Sequence, residues 1–298
     1  MNIKWHMRKY RLLFTAIFAI ASFTAAAQGG ADSSKRLLAA LNKKDNACYI
    51  VKESNIVFPA VLSGNEAQSL DYIQKFCNNR KEYIARTYTR GKKYFSKAAA
   101  ILKRYNLPHE LKVLLALESA FNANAVSKAG AVGYWQFMDE VAKEYGLKVV
   151  TQYTPEEKKK LLKADKKKAD SLFKAIAKQK DDRKNFSKST YAAARYLKDR
   201  SRNLNNDWLL IAASYNCGVG NVWNAMERCG KANPDFWDIK KYLPQETQYY
   251  VMNFITLNVI FSNYETFLKD ELCFRDQYCI DEDCCNGTDW SADVSCRD

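Results

Sequence analysis

Leu111, Leu114 and Leu115 stand at i, i+3 and i+4 of a helical apolar stripe, and the next place in that stripe, i+7, is held by Glu118. A carboxylate therefore occupies a position where leucine is expected. Pro108 suits the first turn of this helix and Asn122 and Asn124 end it, which puts Glu118 in the last turn. Unpaired carbonyls there disfavour a carboxylate anion, and burial disfavours it further. Both effects raise the pKa above the ~4.3 of a free glutamate, as a general acid working near neutral pH requires. Periodicity also admits a plainer reading, in which Glu118 is a boundary residue that turns to solvent or pairs with a cation.

Downstream, Ser127 opens a Ser-Lys-Ala-Gly turn, Gly130 and Gly133 punctuate it, and Tyr134, Trp135, Gln136, Phe137 and Met138 begin a second helical pattern. Aromatic rings offer an apolar face to the C–H side of a pyranose, while Gln136 and Ser127 can exchange hydrogen bonds with hydroxyls and acetamides. The competing reading makes Trp135, Phe137 and Met138 ordinary core packing. Further on, Trp208 to Asn216 reads as a buried helix that closes on the polar pair Tyr215-Asn216, with Gly218 and Gly220 releasing the backbone. On spacing alone that pair is a helix C-terminal cap. Leu243 to Val251 opens a last helix that runs on through Phe254, Ile255, Leu257, Val259 and Ile260; Pro244 starts it and Glu246 suits its positive end.

These stretches together resemble a known family. Leu117-Glu118-Ser119 with Phe121-Asn122, Ala125-Val126-Ser127, Gly130-Ala131-Val132-Gly133, Trp135-Gln136-Phe137-Met138 and Tyr145-Gly146-Leu147 look like the SLT domain of lytic murein transglycosylases. The likeness resumes at Ser214-Tyr215-Asn216, where relatives have alanine in place of Ser214, and at Leu243 to Val251, where they usually have arginine in place of Gln248. It covers roughly residues 83–265. The resemblance implies an all-α, lysozyme-like fold, no cofactor and no metal, and peptidoglycan glycan strands as the partner. It also implies roles: Glu118 as the single catalytic acid/base, with Ser127, Gln136, Tyr215 and Asn216 holding acetamido sugars, Phe137 and Met138 as cleft wall, and Tyr250 as a cleft residue. Glu246 is left between two roles, a buried structural partner near the site or a second charge that stabilises a cationic transition state. A lysozyme-type muramidase and a noncatalytic wall-binding protein remain the alternatives.

The elements around these residues set further expectations. Residues 1–27 read as a secretory signal, with Lys4, Arg8, Lys9 and Arg11, an apolar run from Leu12 to Phe23, and Ala25-Ala26-Ala27 before a cleavage point. The apolar run is shorter than the ~20 residues of a spanning helix, and the chain is expected in the periplasm or cell envelope. Cleavage removes four positive charges and no acidic residue, so the formal charge of +14 becomes +10. A strongly basic exported protein favours polyanions: a wall bearing peptide carboxylates, anionic lipid, or nucleic acid. No zinc-finger or RNA-binding spacing is present, so no nucleic acid is expected, whereas wall or membrane association through the basic surface is.

The chain divides into a helical or irregular extension over 28–82, a domain over 83–268 and a Cys-rich tail over 269–298. The long apolar pattern from Asn65 to Tyr105 is divided at Gly91, and Ser189-Thr190 cap an alanine-rich helix. Residues 152–180 form a lysine-rich helical insert, opened by Thr154-Pro155-Glu156-Glu157, whose Leu161, Leu162, Leu172, Phe173 and Ile176 make a short apolar strip. Nine cysteines in an exported chain suggest disulfides, five of them crowded after Leu272, and the odd number leaves one free or paired between molecules.

Overall fold

The computed structural model describes residues 48–150, 153, 155–274 and 277–281, and of residues 48–52, 177 and 277–281 the backbone alone. The expected signal segment with its cleavage near Ala27, the Thr154 cap and most of the Cys-rich tail lie outside the described residues. The chain forms two units, residues 1–52 with 277–298, and residues 53–276. In the first, strands β1 (Cys48–Lys52) and β2 (Gln277–Asp281) pair antiparallel, with Ile50 opposite Cys279. The extension and the tail, separate on paper, thus share a two-stranded ribbon.

The second unit is helical throughout, the all-α class expected. Its elements are α1 (Glu66–Arg104), α2 (Leu114–Ser119), α3 (Asp139–Glu144), α4 (Pro155–Ala164), α5 (Lys166–Ala177), α6 (Phe186–Asn203), α7 (Trp208–Cys217), α8 (Val219–Cys229), α9 (Phe236–Ile239), α10 (Gln245–Ser262) and α11 (Tyr264–Leu268). Short 3-10 turns link several of them, the one over His109–Val113 leading straight into α2.

At the centre lies α10. Val251, Met252, Phe254, Ile255, Leu257, Val259 and Ile260 are all buried, as befits a helix apolar all round. It packs on α1, α2 and α7. Helix α7 is equally enclosed, with Leu209 to Ser214 buried, and its free N-terminal amides are met by Asp207, whose Oδ1 accepts from Leu209 N and Leu210 N at 3.0 Å each. Ser214 donates to Ile211 O at 2.8 Å, so its buried hydroxyl is satisfied within the helix.

Three expectations about element ends are corrected. Gly91 does not divide α1; the helix runs through it, and the missing Cβ leaves room for Phe121 and Phe95, 2.5 Å and 2.7 Å from where that atom would stand. The break falls instead at Arg80, whose φ of −135° and ψ of 22° are not helical. Ser189 and Thr190 do not cap α6. Asn185 does, accepting from Lys188 N at 3.0 Å, and the two hydroxyls fold back onto Asn185 O and Phe186 O inside the first turns. Tyr134 to Met138 begin no helix, since Gln136 has a φ of +48°, and α3 starts only at Asp139.

The lysine-rich insert is a hairpin of α4 and α5, broken at Asp165, whose side chain accepts from Lys168 N at 3.0 Å. Ala169 is buried, whereas Leu162 and Leu172 stay exposed. Its base is closed: Asp182 N donates to Lys148 O at 2.9 Å, and Val150 N donates to Asp181 Oδ2 at 3.2 Å.

Candidate active site

Glu118 sits in the last turn of α2, where the chain then leaves the helix through Ala120 and Phe121 at φ +46° and +61°. Two successive non-glycine residues in the left-handed region store strain directly after the carboxylate. Ser119 anchors the exit, its Oγ donating to Tyr134 O at 2.8 Å. The loop that carries Ser127 and Gln136 is thereby tied to the helix that carries Glu118.

From the centre of the fold α10 contributes Tyr250, whose hydroxyl donates to Glu118 Oε1 at 2.6 Å. From α7 comes Tyr215, which donates to Trp135 O at 2.7 Å and meets Tyr196 ring edge to face, centroids 5.4 Å apart. Glu118, Tyr215 and Tyr250 are each half-buried, so the cluster opens to solvent on one side. Burial raises the Glu118 carboxyl from 4.5 to about 7, against the Tyr250 hydrogen bond, which favours the anion. The same burial, reinforced by the Glu118 charge, pushes the phenols of Tyr215 and Tyr250 well above their ordinary value, so both remain donors. With Oε1 accepting from Tyr250, Oε2 is the oxygen that carries the proton when the Glu118 carboxyl is neutral.

Three polar side chains expected at the site have their orientation set by the backbone or by a neighbour. Gln136 donates both N–H bonds of Nε2 to Ala125 O and Gly133 O, at 3.1 Å and 2.8 Å, which leaves Oε1 as the end for an incoming N–H. Ser127 Oγ accepts from Ala131 N at 3.0 Å and keeps its own proton to donate. Asn216 Oδ1 accepts from Thr247 Oγ1 at 2.7 Å, which leaves Nδ2 as its donor end.

The burial of two residues expected at the cleft differs from the expectation. Phe137 is only 4% exposed, its ring packed edge-on to Tyr196, so it backs the site from the core and offers no face to a ligand. Glu246 is exposed in the first turn of α10, so it is no buried structural partner. Met138 is exposed, while Trp135 is wholly buried with Nε1 donating to Thr190 Oγ1 at 3.0 Å. Gln248 donates to Leu243 O at 3.0 Å.

Sequence reading passed over Thr247, Ser119 and Arg183. Thr247 stands three residues before Tyr250 and so shares its helix face, which was the available signal. Arg183 is fully buried beneath the loop. Its guanidinium bonds Asp181 Oδ2 at 2.7 Å, Phe137 O and Val150 O at 3.2 Å each, and the Asp139 carboxylate. Gly133 lies flush against it, at φ +84°, where any Cβ would run into Arg183 O. Arg183 holds Asp181 below the usual carboxylate range against the opposing effect of burial. Among the described residues no cluster of potential ligands fits a metal ion.

Residues 93–237 match the family model described as Transglycosylase SLT domain. The chain is 31% identical over 192 residues to the membrane-bound lytic murein transglycosylase D of Escherichia coli K12, a match covering 64% of this chain and 36% of that protein. It thus spans little more than a third of that relative's length. A putative tributyltin chloride resistance protein of an Alteromonas species is 26% identical over 152 residues, covering 51% of this chain and 60% of the other. Among solved structures, the 70 kDa soluble lytic transglycosylase Slt70 of Escherichia coli aligns over 69% of this chain and 32% of its own, at 18% identity and a TM-score of 0.40.

Proposed function

We propose that this protein is a peptidoglycan lytic transglycosylase that cleaves the β-1,4 bond between N-acetylmuramic acid and N-acetylglucosamine without water. Glu118 Oε2 gives its proton to the glycosidic oxygen as the C1–O bond breaks. The resulting carboxylate then takes the proton of the muramic C6 hydroxyl, whose oxygen closes on C1 to form a 1,6-anhydro end. One group, returned to its starting state, serves as acid and then base.

A single observation carries this reading: the Glu118 carboxyl, which burial raises to about 7, accepts from Tyr250 at 2.6 Å and stands among the phenols of Tyr196, Tyr215 and Tyr250, with no second carboxylate shifting it among the described residues. A hydrolase of the usual kind uses two carboxylates. Only burial and Tyr250 shift the titration of Glu118, and Glu246 is exposed. Gln136 Oε1, the Ser127 hydroxyl and Asn216 Nδ2 supply the acceptor and donors that acetamido sugars need. Export through residues 1–27, and action in the periplasm or envelope, go with this substrate; among the described residues no helix is long and apolar enough to cross a membrane.

The test digests purified peptidoglycan with the wild type and with Glu118→Gln and reads product masses. Anhydro ends from the wild type, with a loss of about a thousandfold in the variant, are expected. Reducing ends would make the protein a hydrolase, and a folded wild type that binds the wall without products would leave it a binding protein.

A further inference from the structure

A groove of about 310 Å³ is lined in part by the residues next in sequence to the acid and to its hydrogen-bond donor. Tyr72, Phe76, Arg80 and Tyr83 of α1 line it, together with Leu117 and Tyr249. Leu117 immediately precedes Glu118 and Tyr249 immediately precedes Tyr250, so the groove begins one residue from the acid on one helix and one residue from its hydrogen-bond donor on another. The wall is aromatic and braced, with Tyr72 donating to Asn253 Oδ1 at 2.8 Å. Tyr249 is 52% exposed.

Arg80 is the single charge in this lining. Its guanidinium stands 5.8 Å from the Phe76 ring centroid, its side chain is exposed, and it makes no ion pair among the described residues. It also marks the kink of α1. A bare sugar would use the rings and leave this cation without a partner. A short peptide bearing carboxylates would use both, apolar side chains on the rings and a carboxylate on the guanidinium. Apart from Leu117, the lining comes from residues 72–83 and 249–257, outside the stretch that matches the SLT domain.

We propose that this groove binds the acidic peptide carried by the muramic acid of the glycan strand, with Arg80 as its carboxylate anchor, so that peptide-bearing strands are preferred over bare ones. The preference rests on the transglycosylase reading; binding of the peptide itself does not. Acidic peptides released from peptidoglycan by an amidase are titrated calorimetrically into the wild type, Arg80→Ala and Arg80→Glu. In parallel, kcat/KM is measured on soluble glycan strands with and without their peptides.

Peptide should bind the wild type, about tenfold more weakly in Arg80→Ala and not measurably in Arg80→Glu, and the ratio of kcat/KM for peptide-bearing to bare strands should fall with it. Because Arg80 is exposed, both variants should melt with the wild type. Peptide that fails to bind the wild type, or binds Arg80→Ala equally well, overturns the groove assignment. If neither glycan is cleaved, the transglycosylase reading falls while the peptide titration still decides the groove.

Discussion

Glu118 titrates at 4.5 as a free side chain and at about 7 in the folded protein, because burial outweighs the hydrogen bond from Tyr250. Between those values the native state holds a proton that the unfolded chain has lost, so stability falls as pH rises through this window and the loss is complete above about pH 7. The acid therefore costs the fold up to about 3 kcal/mol under alkaline conditions. Glutamine keeps the shape and can still accept from Tyr250 but carries no charge. Glu118→Gln is expected to match the wild type in urea denaturation at about pH 4 and to exceed it by about 1–3 kcal/mol at about pH 8. A variant that is less stable than the wild type at the higher pH would sink this account of the site. Glu118 was legible because a charge interrupting a leucine stripe is conspicuous. Thr247, which sets the direction of Asn216, was not, since one threonine in an apolar helix looks like any β-branched filler until its partner is known.

The loop between α2 and α3 has no regular structure of its own, yet it presents Ser127 and Gln136 in fixed directions. Bonds within the loop set those directions, and Arg183 anchors its far end. It reaches Phe137 O at one end of the loop and Asp139 at the start of α3, while Asp181 and Val150 O hold it from behind. Removing one partner from such a buried ionic group leaves the rest charged and unpaired. Arg183→Ala should lower stability by about 3–5 kcal/mol in urea denaturation, and Arg183→Lys should recover less than half of that, since a single ammonium cannot reproduce the planar fork. A loss below about 1 kcal/mol would mean that the loop is held by its own turns alone. The helices themselves were largely visible in apolar periodicity, Asn65 to Tyr105 above all. Their ends were not. Gly91 reads as punctuation because its contact with Phe121 lies 30 residues away, and nothing local marks Arg183, whose partners Phe137 and Asp139 lie more than 40 residues upstream.

Across the whole molecule the charge is unevenly spread. Residues 152–180 hold ten lysines against Glu156, Glu157, Asp165 and Asp170, a net +6 out of the +14 of the full chain. In the fold they form a hairpin, α4 and α5, whose lysines are nearly all exposed and whose base is sealed by the bonds of Asp181 and Asp182 to residues 148 and 150. The insert leaves the domain and returns at the same place. A short Gly-Ser turn joining Val150 to Asp181 should therefore fold with its melting midpoint within a few degrees of the wild type. What it should lose is long-range attraction to the carboxylates of the wall. Cosedimentation with purified sacculi is expected to be stronger for the wild type at ~0.05 M salt and to fall steeply toward ~0.5 M, where screening shrinks the Debye length to a few ångström. The excised protein should bind less at low salt, depend less on salt, and meet the wild-type curve at the high end. Superimposable curves would mean that the hairpin charge faces only solvent, and that wall attraction comes from the positive residues of the domain itself.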